Sequence, residues 1–162
     1  MMSSSIVAVL LWTAALSSGL IAGVYFAFSA FIMQAFGKLE TSQSVAAMNA
    51  INETILRSFF MPLFFGSTLV SVMLMIAALV HWNDAGSGWT LLAGVVYFMG
   101  MFVCTVVFNV PLNNLLAKLN EDSTHAGGVW SRYLKTWTQW NHLRTVSSLA
   151  ASGLSIWLLT VL

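Results

Sequence analysis

The chain has 162 residues, 59% of them apolar and 7% charged, with a formal net charge of +1; a typical soluble domain is about 45–50% apolar and about 25% charged. Six basic and five acidic side chains cannot cover a 17.7 kDa surface against water on all sides, which excludes an ordinary soluble globule and points to lipid as the main solvent. The near-zero charge gives no reason to expect nucleic acid, and one cysteine, Cys104, excludes an internal disulfide or a Cys-rich metal site.

In chain order, the first charge-free run extends from Ile6 to Phe36, 31 residues where about 20 cross a bilayer. It predicts a tilted or projecting helix. MMSSS carries no Lys or Arg, so a retained span is expected rather than a cleaved signal. Residues 43–57 follow without Gly or Pro, and Val45, Met48, Ile51 and Ile55 alternate with Glu53 and Arg57 as in an amphipathic interfacial helix. Glu53 and Arg57 can pair at i,i+4.

A second span is expected over 58–82, with Pro62 near its start, where a missing amide costs least. The third covers 88–116 and is interrupted by Asn109, Pro111, Asn113 and Asn114. Cys104, inside that apolar run, reads as a buried, inert thiol. NEDSTHAGG at 120–128 is the clearest break. A helix then starts near 129 and continues into a fourth span over 142–162. The expectation is a single all-α transmembrane domain over 1–162: a four-helix bundle with an additional cytoplasmic interfacial helix.

Four crossings put Lys38, Arg57, Lys118, Arg132, Lys135 and Arg144 on one face, which the positive-inside rule makes cytoplasmic, with both termini outside. Gly19 and Gly23, spaced as GxxxG, suit close packing either within the bundle or in a homo-oligomer.

Three polar groups reach the same membrane depth, where polar side chains mark packing or function. Tyr25 and Ser29 share a face in GVYFAFSAF; Asn109 and Asn113 do so in FNVPLNN; Trp137, Asn141, Arg144 and Ser148 form one stripe beginning in WTQWNHLRT, flanked by Trp140 and Thr145. Pro111 leaves the Val107 carbonyl without its helical donor and favours a kink, so the amides either satisfy broken backbone or bind a ligand. Arg144 either snorkels to the headgroups or serves the site. Trp130 reads as part of an aromatic belt. His142 alone reads as a hydrogen-bonded structural group, although an unperturbed imidazole suits proton transfer.

His81 and His142 belong to opposite membrane faces and cannot share a haem, and His125 falls in the Gly-flanked break. No HExxH, CxxC or intramembrane carboxylate provides a metal site, and no metal is expected. The lack of intramembrane carboxylates also argues against an ion-coupled transporter.

GVYFAFSAFIMQAF, AAMNAIN at 46–52, FNVPLNNLLA at 108–117 and W-x-x-WNHLRT at 137–145 together resemble the anthrone oxygenase-like family of small membrane proteins. That resemblance implies oxidation of an anthrone to an anthraquinone by O2 without metal or flavin. The expected location is a bacterial inner membrane, and the charge distribution above sets the site toward the cytoplasmic face. On this reading the partners are the lipid bilayer, an apolar aromatic small molecule and O2. His142 is expected as general base, and Arg144 with Asn109, Asn113 or Asn141 as enolate stabilisers. Tyr25, Phe28, Ser29, Trp137, Trp140 and Thr145 are expected to complete the substrate wall. The competing class is a non-enzymatic bundle that binds a lipid, quinone or aromatic compound, or a subunit of a larger membrane complex.

Overall fold

The computed structural model describes residues 4–119 and 126–161. His125 and most of the polar break lie outside the described residues, which form five helices and no strand.

Helix α1 is α-helical over Ser4–Ala27, passes through a π turn at Phe28–Ile32 and closes with Met33–Phe36. α2 is Thr41–Ile55 and α3 is Phe60–Val80. α4 begins with Ser87–Tyr97, contains π turns at Phe98–Val103 and Thr105–Asn109, and ends with Val110–Ala117. α5 is Ala126–Val161, 36 residues, or about 54 Å of helix.

The stretches Ser5–Phe36, Phe60–Val80 and Ser87–Ala117 are long and apolar enough to cross a membrane. Their outward faces are greasy, as in the exposed row Val9, Trp12, Leu16 and Leu20 on α1. The last helix is long enough but too polar to join them by composition. Its inward stripe carries Thr145, Ser147, Ser148, Ser152 and Ser155, all buried, while Val146, Leu149, Ile156 and Val161 face outward.

Those small hydroxylated residues let helices approach closely. Ser152 donates to the Ala15 carbonyl of α1 at 2.8 Å, and a methyl on Gly19 would lie 3.3 Å from Ser152 Oγ. Gly23, by contrast, has nothing within 4 Å of such a methyl, so only the first glycine of the GxxxG pair serves this contact. Between α3 and α4 a methyl on Gly94 would come within 2.8 Å of the Ser71 carbonyl, so glycine is required for the backbones to meet.

Short local bonds set the element ends. Ser58 Oγ donates to the Ile55 carbonyl at 2.8 Å and accepts from the Phe60 amide at 3.2 Å, turning the chain from α2 into α3. Gly86, at φ 82°, makes the left-handed step before α4, a conformation disfavoured for other L-residues. α5 starts at Ala126, three residues earlier than its periodicity predicts, because Ala126 and Trp130 are buried and carry the Gly127–Gly128 pair into the helix.

α2 is docked rather than merely amphipathic. Val45 and Met48 are buried in one cluster with Met33, Leu116, Trp130, Tyr133 and Trp137, drawn from α1, α4 and α5. Ser44 Oγ also donates to the Phe36 carbonyl at 2.6 Å. Trp130, read from the sequence as a belt residue, is therefore a core residue, stacked on Tyr133 at 5.6 Å. The Glu53–Arg57 pair forms at 3.8 Å on the exposed side, where such a pair contributes little.

Candidate active site in an apolar cavity

The π turn of α1 and the second π turn of α4 face the same turns of α5. A π turn widens the helix by one residue and disturbs its hydrogen-bond ladder, a device found mostly where a helix serves a site. At the π turn of α1, Asn141 Nδ2 of α5 donates to the Tyr25 carbonyl and to Ser29 Oγ, each at 2.7 Å. Thr145 Oγ1 donates to its own helix at the Asn141 carbonyl and lies 3.3 Å from Ser29 Oγ.

At the second π turn of α4, just before Pro111, Asn109 Nδ2 donates to the Trp137 carbonyl at 3.3 Å. The Cys104 thiol lies 3.7 Å from the Trp140 carbonyl. The expected kink at Pro111 is thus realised as a widened turn whose polar groups are shared with α5.

Asn113 completes this joint. Its Oδ1 accepts from Tyr133 Oη at 2.8 Å and from Trp137 Nε1 at 2.9 Å, fixing both rings of α5. Tyr133 is deeply buried, and burial pushes its hydroxyl pKa above the usual tyrosine range, so it is a neutral donor here.

Arg144 is the centre of the arrangement. It is 4% exposed, whereas the other five Lys and Arg are exposed. Nη2 donates to Asn141 Oδ1 at 2.7 Å, and Nη1 lies 3.4 Å from Thr105 Oγ1. The guanidinium carbon sits 4.2 Å from the Tyr25 ring centre and 5.0 Å from that of Trp137, within cation–π range. No carboxylate pairs with it among the described residues, and Nε is buried without an acceptor.

This guanidinium lines a cavity of about 590 Å³, within the ~300–1,000 Å³ that accepts a drug-sized ligand. Tyr25 and Phe28 of α1, Trp137 of α5, and Phe60, Phe64 and Phe102 of α3 and α4 supply aromatic walls. Phe28 and Trp137 meet at 5.6 Å. α2 closes one end with Asn49, Asn52 and Glu53, and Asn113 and Asn114 project from α4. On one flank Phe65, Val106 and Val110 are both cavity-lining and exposed, so the space opens sideways between α3 and α4.

Of the residues singled out in the sequence, Tyr25, Phe28, Asn113, Trp137 and Arg144 therefore meet at the cavity. Asn109, Asn141, Ser29 and Thr145 lie behind that wall and hold it through the bonds above. Two of the expected site residues are placed elsewhere. His142 is exposed, and at 100° per residue it points about 200° away from Arg144; it is absent from the cavity wall. Trp140 is stacked flat on Phe108, centres 3.7 Å apart, also outside the wall.

Thr105, Asn49, Asn52 and Glu53 were not singled out as site residues. Thr105 had only the adjacent Pro111 irregularity to signal it. The α2 group is placed by tertiary docking.

The anthrone oxygenase family model matches residues 56–154, which comprise all of α3 and α4 and most of α5. The chain belongs to the anthrone oxygenase family. Within this anthrone oxygenase family member, the matched region carries Asn109, Asn113, Trp137, Asn141 and Arg144, whereas Tyr25, Phe28 and all of α2 precede it. Neither the curated proteins nor the solved structures compared with the chain gave a match.

Proposed function

We propose that this protein is a membrane-embedded, cofactor-independent oxygenase of anthrone-like polycyclic phenols. The observation that carries the reading is the buried Arg144 guanidinium, without a carboxylate partner among the described residues, facing a cavity walled by aromatic rings. Such a group favours a ligand that becomes anionic during reaction over one that stays neutral.

In the proposed reaction the flat substrate lies among Tyr25, Phe28 and Trp137 with its carbonyl oxygen toward the Arg144 guanidinium. Loss of the C10 proton gives a delocalised enolate whose oxygen Arg144 stabilises. Glu53, which reaches the open edge of the cavity while pairing with Arg57 at 3.8 Å on its exposed side, receives that proton. The electron-rich carbanion then gives one electron to O2, the resulting radical pair forms the C–O bond of a hydroperoxide, and cleavage of the O–O bond with loss of the remaining C10 hydrogen releases water. The balance is anthrone plus O2 to anthraquinone plus water. Asn141 and Asn113 are positioning residues, since each holds a side chain of the wall.

The reading extends to topology. The outward apolar row of α5 and its packing along α1 and α4 support a fourth crossing over about residues 142–161. The cation-bearing end, with α2, is then cytoplasmic, in a bacterial inner membrane, with both termini outside. The apolar flank between α3 and α4 suits entry of substrate and O2 from the bilayer. Purified protein in lipid nanodiscs should consume one O2 per anthrone and yield anthraquinone absorbance at the same rate. Binding without oxygen uptake would remove the oxygenase reading.

A further inference from the structure

A second, much smaller cavity lies between α1, α3, α4 and α5 and shares no wall residue with the one that Arg144 faces. Its volume is about 10 Å³, the lower edge of the ~10–15 Å³ that one water occupies. Gly94 is part of its wall, at the point where α4 meets α3 so closely that a methyl would come within 2.8 Å of the Ser71 carbonyl.

Six hydroxyls from four helices line it: Ser17 and Ser18 of α1, Ser67 and Ser71 of α3, Tyr97 of α4 and Ser155 of α5. All six side chains are buried, and each has committed its one proton. Ser17 and Ser18 donate to the Thr13 and Ala14 carbonyls, each at 2.6 Å. Ser67 donates to the Phe64 carbonyl at 3.0 Å, Ser71 to that of Thr68 at 2.7 Å, and Ser155 to that of Ala151 at 2.8 Å. Tyr97 Oη donates to Ser67 Oγ at 2.7 Å. A hydroxyl has one donor and two acceptor positions, so these side chains offer a guest lone pairs alone.

That selects the guest. An anion or a carbonyl compound could only accept, and a hydrocarbon group would leave the oxygens unmet. A monovalent cation would find lone pairs, but no carboxylate lines the cavity among the described residues, and neutral hydroxyls alone do not offset the dehydration of an ion among apolar helices. Water carries two donors and matches the volume.

We propose that this cavity is the binding site of a single long-lived water that donates to serine oxygens on different helices and so joins α1, α3, α4 and α5 inside the bundle. Helices in lipid gain little from burying apolar surface against one another, so shared polar contacts and close packing hold them together. The site also backs the large cavity. Tyr97, held by Ser67, packs in one cluster with Tyr25 and Phe64, two of that cavity's aromatic walls. The water is a structural part of the fold and stands apart from the oxygenase reading.

The test uses the full chain in lipid nanodiscs and solid-state NMR transfer of magnetisation from water to methyl groups, which carry no exchangeable proton. The wild type should show transfer to the methyls of Ala93 and Ala151, which line the site, and none to Val45, which is as deeply buried but lies outside both cavities. Ala93→Val fills the space with methyl groups, and transfer to Ala151 should fall to the Val45 level. The double variant Ser71→Ala, Ser155→Ala removes acceptors from two helices and leaves a more apolar cavity, which excludes water. It should lose the transfer and unfold at a lower midpoint.

No transfer to the cavity methyls in the folded wild type, equal transfer to Val45, or transfer that survives in both variants would each overturn the site. A midpoint that rises with sodium chloride but not with choline chloride at equal ionic strength would assign the cavity to a cation and overturn the water. None of these readouts depends on anthrone turnover, so a failure of the oxygenase reading leaves them unchanged.

Discussion

Replacing Arg144 by glutamine separates a site arginine from a structural one, because the two roles predict opposite balances of stability and activity. In the folded protein the guanidinium bonds Asn141 Oδ1 at 2.7 Å and lies over Tyr25 and Trp137. Losing the charged hydrogen bond costs about 1.5–3 kcal/mol, and losing each cation–π contact costs about 0.5–2 kcal/mol. Against this, a desolvated cation with no carboxylate partner among the described residues carries an effective penalty of several kcal/mol, which the glutamine removes. Stability should therefore change by no more than about 2 kcal/mol. Turnover should not be spared. A donor aimed at a developing oxyanion is worth about 10²–10³-fold in rate, and glutamine lacks the charge. Arg144→Gln should melt near the wild type in detergent while oxygen uptake with anthrone falls about 100-fold or more. A folded variant that retains turnover within about threefold refutes the assignment.

Other expectations concern proton transfer and packing. His142→Ala should leave anthrone oxidation within about threefold, because the ring lies outside the cavity wall, whereas Glu53→Gln should slow kcat by about 100-fold; steady-state oxygen electrode rates on both variants check this. Asn113→Leu strands the Tyr133 and Trp137 donors and should lower stability by about 2–5 kcal/mol, read as a fall in unfolding midpoint. Gly94→Ala drives a methyl within 2.8 Å of the Ser71 carbonyl and should cost about 1–3 kcal/mol by forcing α3 and α4 apart, again measured by unfolding.

The features legible in the sequence were those governed by a single helix. Charge-free length identified three stretches able to cross a membrane, and the 3.6-residue period placed Trp137, Asn141, Arg144 and Ser148 on one buried stripe. The same period sets His142 on the opposite face; expecting it at the cavity rested on its being the nearby imidazole, a chemical preference that geometry does not honour. The π turns had no compositional signature apart from Pro111. They depend on α5 offering amides and carbonyls to the opened ladder, an interaction between elements distant in sequence. The α2 wall was hidden for a related reason. An amphipathic period predicts that Val45 and Met48 are covered, but whether by lipid or by Trp130, Tyr133 and Leu116 is decided only in the folded chain.

The placement of charge follows one physical logic from end to end. Five of the six cations remain exposed, where water solvates them, and their cost to the fold is small. Arg144 is withdrawn from water and given two side-chain oxygens and two aromatic faces, which offset part of its desolvation without neutralising it. A carboxylate in the same place would stabilise the resting protein and leave nothing for the ligand. Neutral partners leave the guanidinium charge available to the cavity, where in the proposed reaction a neutral ketone would gain a modest hydrogen bond and its enolate a full charge-assisted one. The difference between those two interactions would lower the barrier to the proposed deprotonation, since only binding that strengthens along the reaction path accelerates it. The absence of a counter-ion beside Arg144 among the described residues is thus the structural condition for the proposed chemistry.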